Sequence, residues 1–370
     1  MMRADRDGRL TVLMTADAVG GVWTYALGLC SALPDIRFVL AVMGPPPRVE
    51  QCRAVAALPN VALEIGDYRL EWMQDGPADV APSRRWLVRL ARRHGADLVH
   101  VNAYAQAKLP LDRPALAVAH SDVLSWWRAV HGATAPAEWD PYRRNVIAGL
   151  AAADAVVAPS RAVRDDLWRN YRLPPADTIV IPNGIDPARY ASRTKRDVIM
   201  AAGRLWDAAK HLGHLASIAH QLDWPVLVAG DGTHPDSGAA ELGGVRMLGV
   251  LSPAEMAQRL GEAAIFVAPT CYEPFGLTIL EAAASGCALV LGDIPSLREN
   301  WGEAALFVPR DKGGALADAL QCLIGDPRER RRLAAAARRR AEKFTLAAMA
   351  TRYRALYAAL AERRSRREVA

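Results

Sequence analysis

The segment Pro269-Thr270-Cys271-Tyr272-Glu273-Pro274-Phe275-Gly276-Leu277-Thr278-Ile279-Leu280-Glu281-Ala282 holds the residues whose types and spacing best suggest chemistry. It follows an apolar run, Ile265 to Ala268, that reads as a strand, and Pro274 and Gly276 suit a turn at a helix start. A helix over Leu277 to Ser285 leaves the amides of Gly276, Leu277 and Thr278 pointing out of its positive end, a ready seat for phosphate. Glu273 and Glu281 flank that end. Anions beside a phosphate cost free energy, so both carboxylates are expected to accept hydrogen bonds from hydroxyls, which a ribose and a sugar ring supply. The same spacing also fits one acid at a helix start and one on a solvated helix face.

A second cluster compensates this charge. Gly203-Arg204-Leu205 follows the strand run Val198 to Ala202, and Lys210 comes shortly after. Arginine grips a phosphate with two parallel hydrogen bonds, and lysine adds a mobile point charge. Gly20-Gly21 lies between the first strand and the first helix, where two glycines permit close backbone approach; a plain turn fits equally well. No G-x-x-x-x-G-K-[S/T] loop occurs, and Gly230-Asp231-Gly232 has Pro235 where a third glycine would complete G-x-G-x-x-G. Nicotinamide oxidoreductases and P-loop nucleotidases thereby lose their main support. His120-Ser121-Asp122 follows another strand, in position to reach a cleft, and Trp126, Trp127 and Trp139 suit either stacking on a sugar or core packing.

These loops need elements to hold them. Short apolar runs alternate with helical periods from end to end, the pattern of parallel sheets covered by helices. Strands are expected at Leu10 to Met14, Phe38 to Val42, Val61 to Ile65, Leu98 to Val101, Ala115 to Ala119, Ala155 to Ala158 and Thr178 to Ile181. A second set comprises Val198 to Ala202, Val226 to Ala229, Met247-Leu248, Ile265 to Ala268, Ala288 to Leu291 and Ala305 to Val308. The polar stretch around 184 to 196 separates them, giving an α/β chain of two doubly wound units facing each other across a cleft. From Pro327 the chain reads as two Ala- and Arg-rich helices, the second with the stripe Leu346, Met349, Tyr353, Leu356, Tyr357 and Leu360 in need of a surface.

Composition bounds the rest. The 370 residues are 51% hydrophobic and 23% charged, which excludes disorder as the main state. Five scattered cysteines without a C-x-x-C pair argue against a disulfide framework or structural zinc. No apolar run reaches the roughly 18 residues a membrane span needs, and the charged start lacks a signal-peptide pattern, so a cytoplasmic location is expected. A net charge of +6 does not mark a nucleic-acid binder. Arg84, Arg85, Arg89, Arg92 and Arg93 beside Trp86, Leu87 and Leu90 read as a solvated helix face or as peripheral contact with an anionic membrane.

Taken in order, Gly20-Gly21-Val22, His120, Pro159-Ser160, Pro182-Asn183-Gly184-Ile185-Asp186, Gly203-Arg204-Leu205 with Lys210, Gly230-Asp231-Gly232 and Glu273-x7-Glu281 resemble the family 4 glycosyltransferases, retaining enzymes of the GT-B fold. The resemblance implies an N-terminal Rossmann-like acceptor domain over 1–185, a C-terminal Rossmann-like donor domain over 196–345, and a helix over 346–370 crossing back to the first domain. It implies hexosyl transfer from a nucleotide diphosphate sugar to an acceptor hydroxyl, in glycan or glycolipid synthesis, with no metal or other cofactor. The acceptor would be a carbohydrate or lipid-linked molecule. Arg204 and Lys210 would hold the diphosphate with the amides of Gly276, Leu277 and Thr278, while Gly20, Gly21, Gly203 and Phe275 help line the donor site. Glu281 would take the ribose, Glu273 the donor sugar, His120 a place near the anomeric centre, and Val250 and Leu251 the base. Trp126, Trp127 and Trp139 are the acceptor-side candidates. Two departures stand out: Pro274 follows the first glutamate where the family often has glycine, and His211 follows Lys210 where glycine is also frequent. The competing readings are another GT-B enzyme (a sugar-nucleotide epimerase or a phosphorylase) and a non-catalytic nucleotide-sugar-binding protein.

Overall fold

A computed structural model describes residues 9–73, 75–232, 242–310 and 314–369, with side chains to residue 362. Asp5, Asp7, Pro235 and the side chains of Arg363 to Arg367 lie outside the described residues.

The first sheet comprises β1 (Thr11–Asp17), β2 (Arg37–Met43), β3 (Val61–Ile65), β4 (Leu98–Val101), β5 (Ala115–Val118), β6 (Ala155–Ala158) and β7 (Thr178–Val180), in the order β3-β2-β1-β4-β5-β6-β7. The second comprises β8 (Arg196–Ala202), β9 (Val226–Ala229), β10 (Arg246–Gly249), β11 (Ala263–Ala268), β12 (Ala288–Gly292) and β13 (Leu306–Val308), in the order β10-β9-β8-β11-β12-β13. Neighbouring strands run parallel, as at β1–β2 and β8–β11. Helices cover both faces, so the central strands read as unbroken apolar runs rather than alternating ones. β1 outruns its apolar stretch because pairing with β2 continues to Asp17 opposite Met43, which carries a carboxylate to the strand's end.

Two crossings join the halves. The outward one passes through Ile185, the return one through Thr345, and they pair with each other: Ile185 N donates to Phe344 O (3.1 Å) and Leu346 N to Ile185 O (2.7 Å). The return crossing leads into the helix Leu346–Val369. Its residues Met349, Ala350, Tyr353, Tyr357 and Leu360 are buried in one cluster with Met14 and Leu40 of the first sheet and Tyr25 and Leu29 of the helix Gly21–Ala32. The apolar stripe thus finds its surface on the first half of the chain. Among the described residues no helix is long and apolar enough to cross a membrane.

Candidate active site

In a doubly wound sheet a crevice opens at the carboxyl ends of the strands where their order reverses. Here the reversals fall between β1 and β4 in the first sheet and between β8 and β11 in the second. The loops after those strands carry Gly20-Gly21, Gly203-Arg204 and the Glu273 segment, with His120 after β5 one strand further. They meet across the gap. A methyl group added at Gly20, whose φ of +86° suits glycine, would lie 3.6 Å from Arg204 Nη1; one at Gly21 would lie 3.7 Å from Leu277 Cδ1. Further ties cross between the halves. Tyr272 Oη accepts from the Asp122 amide (3.0 Å), Ser160 Oγ donates to Pro274 O (3.0 Å), and Trp126 Nε1 donates to Asp207 Oδ1 (2.9 Å).

The site's cations are held by acids. Arg204 Nη2 donates to Asp207 Oδ2 at 2.8 Å, while its buried Nε has no protein partner, a donor left over for a ligand. Burial alone would raise the Asp207 pKa, but the charges of Arg204 and Lys210 and the Trp126 indole outweigh it and hold Asp207 below the usual carboxylate range. Lys210 Nζ lies 2.7 Å from Glu273 Oε2, both half-buried. Thr270 Oγ1 and Cys271 N both donate to Ala209 O (2.6 and 2.9 Å), which fixes the loop after β11 against the residue preceding Lys210.

Gly276, at φ +86°, caps the helix Leu277–Ala284, one residue shorter than expected. Its opening amides have no intrahelical acceptors. Glu281 sits one turn deeper and is 9% exposed. Burial pushes its carboxyl up to about 7, against the effect of a hydrogen bond from Tyr190. Asp17, at the end of β1, is pushed up to about 6 by burial, opposed by the Val19 amide and the charge of Arg204. His120 packs edge-on against Tyr25, ring centres 4.5 Å apart, and its Nε2 lies 2.9 Å from Asn102 Oδ1. Loss of surrounding water pushes the His120 pKa down to about 3, so the ring is neutral.

The geometry thus brings Gly20 to Arg204, Gly21 to Leu277, Gly203 to Lys210, and Glu273 to both Lys210 and Gly276, with Thr278 next in the helix's opening turn. Other expectations are corrected. Phe275 does not line the gap: its ring is 4% exposed and packs edge-on against Phe344 in the second core. Trp126 spends its indole N–H on Asp207, and Trp126, Trp127 and Trp139 lie at steep mutual angles (62° and 55°), so they form no common stacking face. Trp139 instead packs on Tyr142. Val250 is exposed after β10, and Leu251 leans on the second core. Leu87 and Leu90 are buried, leaving the helix Gly76–His94 no apolar outer edge at those positions.

Sequence reasoning missed Asp17, Asn102, Tyr190 and Asp207. Asp17 and Asn102 each stand at or just after a strand end, the one cue that was available for them. Tyr190 and Asp207 are defined only by what the folded loops bring near them.

Two facing doubly wound domains, with a last helix returning to the first, define the GT-B class. The Glycosyltransferase Family 4 profile matches residues 19–189 and the Glycosyl transferases group 1 profile matches 196–326. The chain belongs to the family 4 glycosyltransferases. A glycogen synthase of Mycobacterium tuberculosis is 33% identical over 205 residues, covering 50% of this chain and 49% of that protein. The chain therefore matches about half the length of that relative. A phosphatidyl-myo-inositol mannosyltransferase of Mycolicibacterium smegmatis is 25% identical over 360 residues, covering 89% of this chain and 87% of its own. HepE of Anabaena, solved in complex with UDP-glucose, shares the fold at a TM-score of 0.74 and 16% identity, over 95% of this chain and 100% of its own.

Proposed function

We propose that the protein is a retaining glycosyltransferase that moves a hexosyl group from a nucleotide diphosphate sugar to the hydroxyl of a carbohydrate or lipid-linked acceptor. One observation carries the reading: Arg204, Lys210 and the opening turn of Leu277–Ala284 converge on the gap that Gly20 and Gly21 close from the other side. Charge grows on the diphosphate as the glycosidic bond breaks, and donors fixed beforehand at that place lower the barrier without reorganising. Arg204 Nε is such a donor, buried and unspent. Lys210 shares itself between Glu273 and the departing phosphate, and Glu273 then turns to hydroxyls of the sugar. Retention follows front-face attack, in which the leaving phosphate oxygen takes the acceptor's proton, so no side chain serves as a strong base. The mannosyltransferase relative and the UDP-glucose complex of HepE support a nucleotide-sugar donor and a glycan or lipid acceptor.

Two cations and a helix start suffice to meet the leaving charge, so transfer should survive a chelator. The exposed arginines of Gly76–His94 add a contact with an anionic membrane surface. The deciding experiment pairs calorimetry against UDP-, GDP- and ADP-sugars with turnover of Arg204→Ala and Lys210→Ala. One nucleotide sugar should bind, and each substitution should lower turnover at saturating donor by about 10²- to 10³-fold. Near-normal turnover in both variants would refute the assignment.

A further inference from the structure

Asn102, directly after β4, has no part in the proposed transfer so far, yet its Oδ1 stands 2.9 Å from His120 Nε2. Its amide cannot be turned either way. Asn102 Nδ2 lies 2.6 Å from Thr15 O, a carbonyl that only accepts, so the NH2 group faces Thr15 and Oδ1 faces the opposite side. The Asn102 backbone amide donates to Thr15 Oγ1 at 2.8 Å, which fixes the residue at a second point. On the side of Oδ1 stand two imidazoles: His120 Nε2 at 2.9 Å and His100 Nε2 at 3.1 Å. An oxygen that only accepts requires both nitrogens to carry the proton. His100 Nδ1 is then the acceptor, and Tyr357 Oη supplies its hydrogen at 2.6 Å. His100 is fully buried and stacks on Tyr353 with ring centres 5.6 Å apart, so the far end of the chain of bonds is anchored in the C-terminal helix.

We infer that Asn102 is a positioning residue that locks His120 in the Nε2–H tautomer and so presents Nδ1 to the gap as a hydrogen-bond acceptor for a hydroxyl of the donor sugar. This rests on the glycosyltransferase reading for the identity of the hydroxyl, but the tautomer itself follows from the protein alone. A neutral ring with a fixed acceptor orients a hydroxyl without offering a proton, which fits a site where the leaving phosphate does the proton transfer. Orientation near the reacting carbon acts on turnover more than on capture of the donor.

The test has two readouts. Long-range 15N–1H correlation spectra of histidine-labelled full-length protein, with His120 assigned from the His120→Gln variant, should show it as Nε2–H. Addition of the nucleotide sugar identified by calorimetry should shift Nδ1 in the direction of an accepted hydrogen bond. In Asn102→Ala the spectrum should become a mixture of tautomers, and turnover should fall about tenfold with a donor KM changed less than about threefold. A wild-type His120 protonated at Nδ1, or an Asn102→Ala protein with unchanged tautomer and unchanged turnover, overturns the inference. Should Asn102→Ala fail to fold, the wild-type tautomer alone decides. Absence of sugar transfer by the wild-type protein would count against the transferase reading and leave the tautomer measurement standing.

Discussion

Glu281 shows how a residue's burial sets conditions for binding. Its carboxyl titrates at about 7 because it is buried, while the ribose hydroxyls of a donor would hydrogen-bond best to the ionised form. Donor binding therefore favours proton loss, and affinity should rise from pH 6 to pH 8, by up to about tenfold per unit below the midpoint. Calorimetry with a nucleotide sugar checks this, because its doubly esterified diphosphate does not titrate there. Glu281→Gln should flatten the profile to whatever Asp17, titrating at about 6, contributes. The sign reverses for stability. The raised pKa means the folded protein prefers the protonated acid, so this group's stabilisation is complete below its ordinary 4.5 and is lost as pH rises through about 7. Much of the site was legible at this scale. Arg204, Lys210 and Glu273 lie in loops that follow strands, and Glu281 lies one turn into a helix, at spacings that read directly from the chain. Asn102 and Asp207 were not, because each acts through a partner 18 or 81 positions away.

Elements were readable wherever burial on both faces forced an unbroken apolar run, as in β2, β5 and β12. Their ends were less so, because pairing partners rather than side chains decide where a strand stops; β1 extends to Asp17 on that account. The turn between Lys210 and the helix Leu212–Ile218 is a sharper case. His211, standing where the family resemblance implies a frequent glycine, adopts φ +53°, the left-handed region. The backbone path of that turn is therefore kept by a residue that bears some strain for it. His211→Gly should retain turnover. His211→Val, whose branched side chain tolerates this conformation poorly, should cost about 1–2 kcal/mol, visible as a drop in Tm, and should lower turnover by displacing Lys210.

Over the whole molecule, charge is unevenly placed. On the helix Gly76–His94, Arg85, Arg89, Arg92 and Arg93 are exposed, whereas Arg84 turns inward to donate to Ala105 O (2.9 Å) and Arg93 pairs with Glu64. Since Leu87 and Leu90 face the core, attraction to an anionic bilayer would be electrostatic without insertion at those positions. Flotation should recover the protein with anionic vesicles at low salt and not with neutral ones, and added salt should release it. Equal recovery on both would remove the contact. The two-domain plan was legible from the repeated alternation of strands and helices, and the return of the last helix from its apolar stripe. The pairing of the two crossings was not, since Ile185 and Thr345 meet only once both halves exist. That return has a consequence for synthesis. The surface around Tyr25, Leu29 and His100 is sealed by Tyr353 and Tyr357, and Tyr357 leaves the ribosome 257 residues after His100. The half made first must wait, with that surface open, for the half made second to be finished.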